Sequence, residues 1–251
     1  MEFVAPSEFW TQFRSKIEKQ GGIVERWIEG EFVTSPSVQG LIRGPQDVIV
    51  LSTHEQILNQ EGSMYLGCHF PADLEYRDLL KSYCEQIGRV LASRGARERY
   101  AVDFVATRTP NGSNSHQVYA IEINLRSGGT THPFEIARQV CGASFHPNGT
   151  LQTREGVEKC YQASDNVVHS SFSLHSLAHL VEVLQGSPVH WNPHTLRGCL
   201  FYFLGALKLH GKVGLLAIGN SRQDASSLFE EAILTLVTSS NQQHQPKREK
   251  E

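Results

Sequence analysis

Residues 119–134, YAIEINLRSGGTTHPF, alternate polar and apolar side chains and then open into a glycine turn. Because strand side chains alternate with period two, Glu122, Asn124 and Arg126 are predicted to share one face of a strand. The apolar residues between them are expected to pack behind that face; they are Ile121, Ile123 and Leu125. Carboxylate and amide oxygens suit a hard divalent cation, and an arginine suits phosphoryl oxygens. The run therefore predicts a cation and phosphate site at the end of a β-strand.

A second β-rich segment, residues 99–106, precedes this run and carries Asp103. The turn-forming residues 110–115, PNGSNS, are expected to return the chain antiparallel to the later strand. In that pairing Asp103, Glu122 and Asn124 become neighbours. Magnesium commonly binds one or two carboxylates together with substrate phosphates. We therefore predict that these three residues hold Mg²⁺, with Mn²⁺ as the alternative ion.

The glycine turn leads into a predicted helix that begins near Pro133, a position where proline is tolerated. A helix N-terminus attracts anions, so the turn is predicted to contact a transferred phosphoryl group through Gly128, Gly129 and Thr130. Taken alone, these residues are better explained by a tight turn that caps a helix. Their position directly after the predicted metal ligands favours the functional interpretation.

Asp103, followed by Glu122-Ile-Asn124 and Leu-Arg-Ser-Gly-Gly, resembles the metal-binding end of ATP-grasp enzymes. These enzymes are carboxylate–amine ligases that proceed through an acyl phosphate. Four stretches look most like the ATP-grasp domain of pheganomycin-type peptide ligases; they are residues 34–39, 51–56, 65–71 and 122–134. An animal testis protein with an IQ motif is similar to the same group. The resemblance implies that the chain takes ATP and Mg²⁺ as cofactors and acts on carboxylate and amine substrates, either small molecules or peptides.

The resemblance also implies where a nucleotide binds. Residues 21–32, whose alternation predicts a strand leading into a hairpin, are similar to the hinge between the two ATP-grasp lobes. The nucleotide-binding residues implied by this similarity are Glu25, Arg26, Trp27, Ile28 and Glu31. Glu29 is the alternative to Glu31 for the ribose hydroxyls. Arg99 is the candidate cation for ATP from a run of arginines, although cations at a helix end also simply suit its negative pole.

Only about twenty residues precede the hinge, and residues 7–20 predict one amphipathic helix with a serine cap and a glycine stop. The N-terminal lobe of an ATP-grasp enzyme does not fit in that length, so the resemblance implies the C-terminal lobe of a longer ligase. The expected fold class is α+β, mainly antiparallel sheet backed by helices, with a small C-terminal α/β subdomain. The expected units are residues 1–20, a leading helix; 21–150, the nucleotide and metal lobe; 151–238, a closing subdomain; and 239–251, a disordered tail.

Composition excludes several other classes of protein. The net charge of −3 provides no basic field for nucleic acid, and no apolar run is long enough to span a bilayer. The first residues, MEFVAP, lack a secretory pattern, so we expect a cytoplasmic protein without nucleic-acid or membrane partners. The 5 cysteines are widely spaced and odd in number, which predicts reduced thiols. Oligomeric state is not readable from these features.

Together these features predict a fragment of an ATP- and Mg²⁺-dependent ligase that forms peptide or amide bonds. The alternative is a catalytically incomplete ATP-grasp domain that binds a nucleotide or a protein partner. The sequence leaves open whether the chain is active by itself and which substrates it takes.

Overall fold

A computed structural model describes residues 9–59, 62, 64–108 and 116–242. The strands of this part of the chain are β1 (Glu31–Thr34), β2 (Pro36–Gly44), β3 (Asp47–Leu58), β4 (Tyr65–Phe70), β5 (Glu98–Arg108), β6 (His116–Asn124), β7 (Ser144–Phe145), β8 (Leu151–Gln152), β9 (Glu158–Val168), β10 (Gly198–Tyr202) and β11 (Lys212–Gly219). The helices are α1 (Trp10–Gln20), α2 (Leu74–Ser93), α3 (Thr131–Val140), α4 (Leu177–Gln185), α5 (Leu207–His210) and α6 (Arg222–Gln242), with a short 3-10 helix at Ser170–Leu174.

The main sheet is antiparallel and organises the whole described structure. Successive hydrogen-bonded pairs run β5–β2, β2–β3, β3–β4, β4–β9, β9–β11 and β11–β10. β5 also pairs with β1 and with β6, whereas β6 pairs with β5 alone among the described strands. The predicted α+β class with a mainly antiparallel sheet is confirmed.

Helix α2 backs the strands that carry the site. Asp73 is its N-cap, and its carboxylate accepts a hydrogen bond from the N–H of Glu75 at 3.0 Å. The helix buries Leu80 and Cys84 against a core that includes Tyr100 of β5. The hydroxyl of Tyr100 donates to the carbonyl oxygen of Cys84 at 2.8 Å, so helix and strand are held together by a polar as well as an apolar contact.

Helix α3 covers a second core on the other side of the site. Phe134 of α3 lies against Phe70, whose ring stacks on Tyr161 of β9 with centroids 5.0 Å apart. His54 is fully buried among these rings, and burial lowers its pKa to about 3, so it is a neutral hydrogen-bond partner of Tyr161 at 2.6 Å. These contacts fix the start of α3 relative to β3, β4 and β9.

The expected boundary at residue 150 is crossed by this sheet. β9 pairs with β4 on one edge and with β11 on the other, and the helix α6 packs on β11 and β9. Residues 151–166, which the sequence suggests are polar connecting structure, instead supply most of an inner strand. The division into a nucleotide lobe and a closing subdomain stays a prediction about function.

Three local predictions differ from the structure. Residues 21–30 do not form the predicted strand, and regular structure begins with β1 at Glu31. α1 begins after Phe9, which provides no side-chain cap, while the predicted serine cap at Ser7 lies outside the described residues. Residues 239–242, predicted to be disordered, continue α6, and the rest of the predicted tail lies outside the described residues.

The predicted glycine stop at Gly21 is confirmed, with φ 74° and its N–H bonded to the carbonyl of Ile17 at 2.8 Å.

Candidate functional site

The antiparallel pairing of β5 with β6 brings the three predicted metal ligands together. In the register Asp103 is opposite Glu122, and Ala101 is opposite Asn124. The amide nitrogen of Asn124 donates to Asp103 Oδ2 at 3.2 Å. The turn predicted at residues 110–115 lies outside the described residues, but the pairing it was expected to produce is observed.

Among the three predicted metal ligands, the side chain of Asp103 is fixed by additional contacts. Gln56 of β3 donates an amide hydrogen bond to Asp103 Oδ1 at 2.8 Å. Burial raises the pKa of Asp103, a hydrogen bond with Ser37 lowers it, and the charge of Glu122 raises it; the net shift is upward. A bound cation stabilises the charged form of a buried carboxylate such as Asp103.

The apolar residues that alternate with the predicted ligands do not pack behind the site as predicted. Ile121, Ile123 and Leu125 are 42%, 47% and 62% exposed. Ile121 lies at a β-bulge in the pairing with β5, and it lines the same cavity as Glu122. Alternation predicts that Glu122 and Asn124 lie together, but it predicts neither the bulge nor the exposure of the apolar residues.

A cavity of about 550 Å³ is lined by these residues, and we name it the acidic cavity. Its wall contains the carboxylates of Asp103, Glu122 and Asp165 and the guanidinium of Arg126. The remaining predicted site residues in its wall are Asn124, Gly128, Gly129 and Thr130. The structure therefore brings the predicted metal, phosphate and turn residues to one place, and it adds Asp165, which the sequence interpretation missed.

The glycine turn is tied to the sheet through Gln39 of β2. Thr131 Oγ1 donates to Gln39 Oε1 at 2.9 Å, and Gln39 Nε2 in turn donates to Thr130 Oγ1. The N–H of Gly128 is bonded to Thr131 Oγ1 at 2.9 Å, so this predicted phosphate donor is engaged within the turn. The turn is therefore a rigid start to α3.

Gly129 lies against the ring of Tyr65 at the wall of the acidic cavity. A Cβ atom at this position would lie 2.8 Å from Tyr65 Cε1. A glycine is therefore required by close contact with a cavity residue, in addition to any role toward phosphate.

A second cavity of about 1000 Å³ adjoins the first, and we name it the hinge cavity after residues 25–28, which line it. The two cavities share wall residues; they are Ser35, Gln56, Leu58, Gly62, Val105 and Ile121. Glu25, Arg26, Trp27 and Ile28, the residues expected at the nucleotide, are thus next to the predicted metal ligands. The side chain of Glu31 lies outside the described residues.

The hinge cavity also contains acidic and aromatic groups that the sequence interpretation did not select. Glu55 accepts a hydrogen bond from the hydroxyl of Tyr76 at 2.5 Å and one from the N–H of Asp73 at 3.1 Å. Burial is the main cause that raises the pKa of Glu55. His69 is opposite Glu55 in the β3–β4 pairing and lines the same cavity. The sequence feature that could have identified Glu55 and His69 is their position in stretches 51–56 and 65–71, which carry the family resemblance.

Arg99 is not brought to either cavity. Its guanidinium pairs with Glu135 of α3 at 2.5 Å, and Arg138 binds the same carboxylate at 2.9 Å. Both arginines help to lower the pKa of Glu135, although burial opposes them. The geometry therefore gives Arg99 a structural role in joining β5 to α3.

The donor set limits which metal sites are conceivable. Within residues 9–59, 62, 64–108 and 116–242, no three His, Cys, Asp or Glu side chains converge as a metal-binding group. This fits neither a zinc nor a catalytic transition-metal site of protein ligands alone. Two carboxylates with an amide fit Mg²⁺, which keeps several positions for water and substrate phosphate.

Comparisons with known proteins agree with this geometry. The family model described as IQCH-like, ATP-grasp matches residues 4–145, more than half of the chain, and the chain therefore belongs to this ATP-grasp family. The chain is 31% identical over 226 residues to an L-propargylglycine–L-glutamate ligase of Streptantibioticus cattleyicolor, covering 89% of this chain and 45% of that protein. It is 28% identical over 116 residues to IQ motif-containing protein H of Danio rerio, covering 46% of this chain and 11% of that protein.

Solved structures show the same fold. An L-amino acid ligase from Bacillus licheniformis superposes with a TM-score of 0.54 at 16% identity, covering 90% of this chain and 58% of that one. The chain spans less than half the length of the two curated relatives it matches. Both the ATP-grasp membership and the expected relation to an animal IQ-motif protein are confirmed.

None of the helices in the described part of the chain is both long enough and apolar enough to cross a membrane.

Proposed function

We propose that this chain carries the nucleotide and metal site of an ATP-dependent carboxylate–amine ligase that forms amide or peptide bonds. The observation that supports the proposal most strongly is the acidic cavity, where Asp103, Glu122, Asn124 and Arg126 meet the start of α3. The hinge cavity, with shared walls, supplies an adjacent space of a size that suits a nucleotide.

The donor set of β5 and β6 supports a magnesium requirement. Asp103, Glu122 and Asn124 would hold Mg²⁺, or Mn²⁺, which accepts the same oxygen ligands. When bound, the ion neutralises phosphate oxygens and orients them for transfer. Gln56 positions Asp103 by its hydrogen bond to Oδ1 at 2.8 Å, and Asn124 donates to Oδ2 at 3.2 Å, so both amides orient this carboxylate in the cavity wall.

The proposed reaction has two steps. In the first, a carboxylate oxygen of the substrate attacks the γ-phosphorus of ATP, the bond to ADP breaks, and an acyl phosphate forms. Two anions approach each other in this step, so the fixed positive charge of Arg126 lowers the barrier. In the second, an amine attacks the acyl carbon, phosphate leaves, and the amine loses its proton to give an amide.

The chain's other residues are proposed to bind and orient. Trp27 and Ile28 line the hinge cavity and offer apolar surface for a purine, and Glu25 lies in the same wall. The positive end of α3, preceded by Gly129 and Thr130, faces the region where phosphate would sit.

The relatives support amino acids or peptides as the substrate class. The Streptantibioticus relative is named for ligation of L-propargylglycine and L-glutamate, and the chain matches 45% of its length. We propose amino-acid or short peptide carboxylates and amines for this chain on that basis.

Calorimetry and product analysis test the proposal. Titration of ATP into the full chain should show binding that depends on Mg²⁺, and ADP release should require both a carboxylate and an amine, with stoichiometric phosphate. Absence of Mg²⁺-dependent nucleotide binding would refute the site. Binding without ADP release for any amino-acid pair would refute the ligase activity and favour the nucleotide-binding module.

A further inference from the structure

Asp165 is the third carboxylate of the acidic cavity, and the proposed metal and nucleotide roles do not use it. It lies on β9, where Ala163 is opposite Cys68 of β4, and Cys68 is opposite Gln56 of β3. Both Asp165 and Gln56, which binds Asp103, line the acidic cavity, so they lie on the same side of the sheet.

A β-bulge sets the direction of Asp165. On β11, Val213 pairs with Val167 and Leu215 pairs with Ser164, so Asp165 and its neighbour on β9 both face one residue of β11. Ser164 Oγ fixes this bulge by donating to the carbonyl oxygen of Leu66 at 2.5 Å. Bulges re-aim side chains and are frequent beside active sites. Here the bulge places a carboxylate in the cavity wall.

Among the described residues, no basic side chain forms an ion pair with Asp165. Within the described residues no ion pair or hydrogen bond of its carboxylate is found, and Arg126 is the basic residue in the cavity wall. Its titratable neighbours are Tyr65, Cys68 and Tyr202, and burial is the main cause that raises the pKa of each, that of Cys68 to about 12. These groups are neutral near pH 7. A half-buried carboxylate without a counter-ion is stabilised when a cation binds.

Asp165 does not join the proposed metal ligands in one cluster. Within the described part of the chain, no three His, Cys, Asp or Glu side chains converge as a metal-binding group, although Asp103, Glu122 and Asp165 line the same cavity. Asp165 is therefore available for a different group in that cavity.

We propose that Asp165 binds the ammonium group of an amino-acid or short peptide substrate in the acidic cavity. This inference rests on the proposed ligase function. The proposed substrate is a zwitterion. Its reacting carboxylate lies toward Arg126 and the metal ligands, and its ammonium group lies toward β9. A carboxylic acid without the ammonium leaves Asp165 unpaired and binds more weakly.

The test compares matched ligands on matched variants. The full chain, saturated with Mg²⁺ and the non-hydrolysable analogue AMP-PNP, is titrated with the twenty L-amino acids and with glycylglycine and alanylalanine. The best ligand is then compared with the acid that lacks its ammonium, for example L-glutamate with glutarate or L-alanine with propionate. The variants are Asp165→Asn and the control Glu158→Gln, a charge removed from an exposed position of the same strand that lines neither cavity.

The wild type should bind the ammonium-bearing ligand about 10- to 100-fold more tightly than its counterpart, as expected for one hydrogen-bonded charge pair. Asp165→Asn should bring the two affinities within about twofold while AMP-PNP affinity stays unchanged, and Glu158→Gln should behave as the wild type. The inference is overturned if Asp165→Asn keeps the preference, or if the wild type shows none although AMP-PNP binds. Failure of AMP-PNP binding in the wild type refutes the proposed function itself.

Discussion

Replacing Glu122 by glutamine removes one charge from the proposed metal site and little else. The side chain is exposed on the edge strand β6 and makes no hydrogen bond or ion pair within the described residues, so stability should change by less than about 0.5 kcal/mol. The register places it opposite Asp103. Directly opposed side chains have Cβ atoms about 5 Å apart. The two carboxylates are therefore close enough to bind one ion.

The expected loss follows from the contact that the ion no longer makes. A contact between a charged group and its partner typically contributes about 1.5–3 kcal/mol. Solvent screens part of that energy, because the Glu122 side chain is exposed. We expect the Glu122→Gln change to weaken Mg²⁺-dependent nucleotide binding by about 1–3 kcal/mol, or about 5- to 150-fold.

Calorimetric titration of Mg²⁺ into the chain with AMP-PNP measures this loss directly. The control is Glu98→Gln, the same chemical change at the other end of β5 and outside both cavities. The control should match the wild type in Mg²⁺ affinity. A Glu122→Gln protein whose Mg²⁺ dependence stays within about twofold of the wild type would show that β6 does not hold the ion.

Two further predictions concern the frame around the site. Asp224 has a lowered pKa, mainly because it accepts hydrogen bonds from Arg197, with Nε at 2.9 Å from both carboxylate oxygens. Its contribution to stability is present above the unfolded pKa of about 3.9 and is lost as the pH falls through the folded value. Asp224→Asn should thus lower the Tm by about 2–6 °C at pH 7, with the difference narrowing below about pH 4; an equal difference at both pH values contradicts the pairing. Gly129→Ala should lower the free energy of unfolding, measured by chemical denaturation, by about 1–3 kcal/mol, because its Cβ would lie 2.8 Å from the Tyr65 ring. The same change should reduce nucleotide binding. Wild-type stability and wild-type affinity in this variant would exclude close contact between residue 129 and Tyr65.

The local pattern of the chain predicts the elements of the site because it depends on near neighbours. The pairing of β5 with β6 follows from two alternating segments close together in the sequence, and it brings Asp103 to Glu122. Helix α2 has an apolar stripe, an N-cap at Asp73 and a glycine just beyond its end, and all three are local features. These features need no knowledge of distant residues.

Strand predictions from the polar–apolar pattern were wrong where a segment has no strand partner or where its partner is distant in the sequence. Residues 21–30 alternate as a strand should, yet they remain irregular, with Val24 fully exposed, because no neighbouring strand pairs with them. Residues 151–166 are predicted to be extended, polar connecting structure, yet they supply most of β9 between β4 and β11. A strand exists only when hydrogen bonds to another strand satisfy its backbone, and the partner can be far away in the sequence.

Local sequence is enough to predict the groups of the proposed site: the acid of β5, the acid and amide of β6, the arginine beyond it, and the glycine turn before α3. Those residues are within about thirty positions of one another, so short-range geometry unites them. Tertiary structure alone decided what else faces the site, because sheet order brings together strands from distant parts of the chain. It brought Asp165 of β9 and Tyr65 of β4 into the acidic cavity and joined Arg99 to Glu135 instead of to the site.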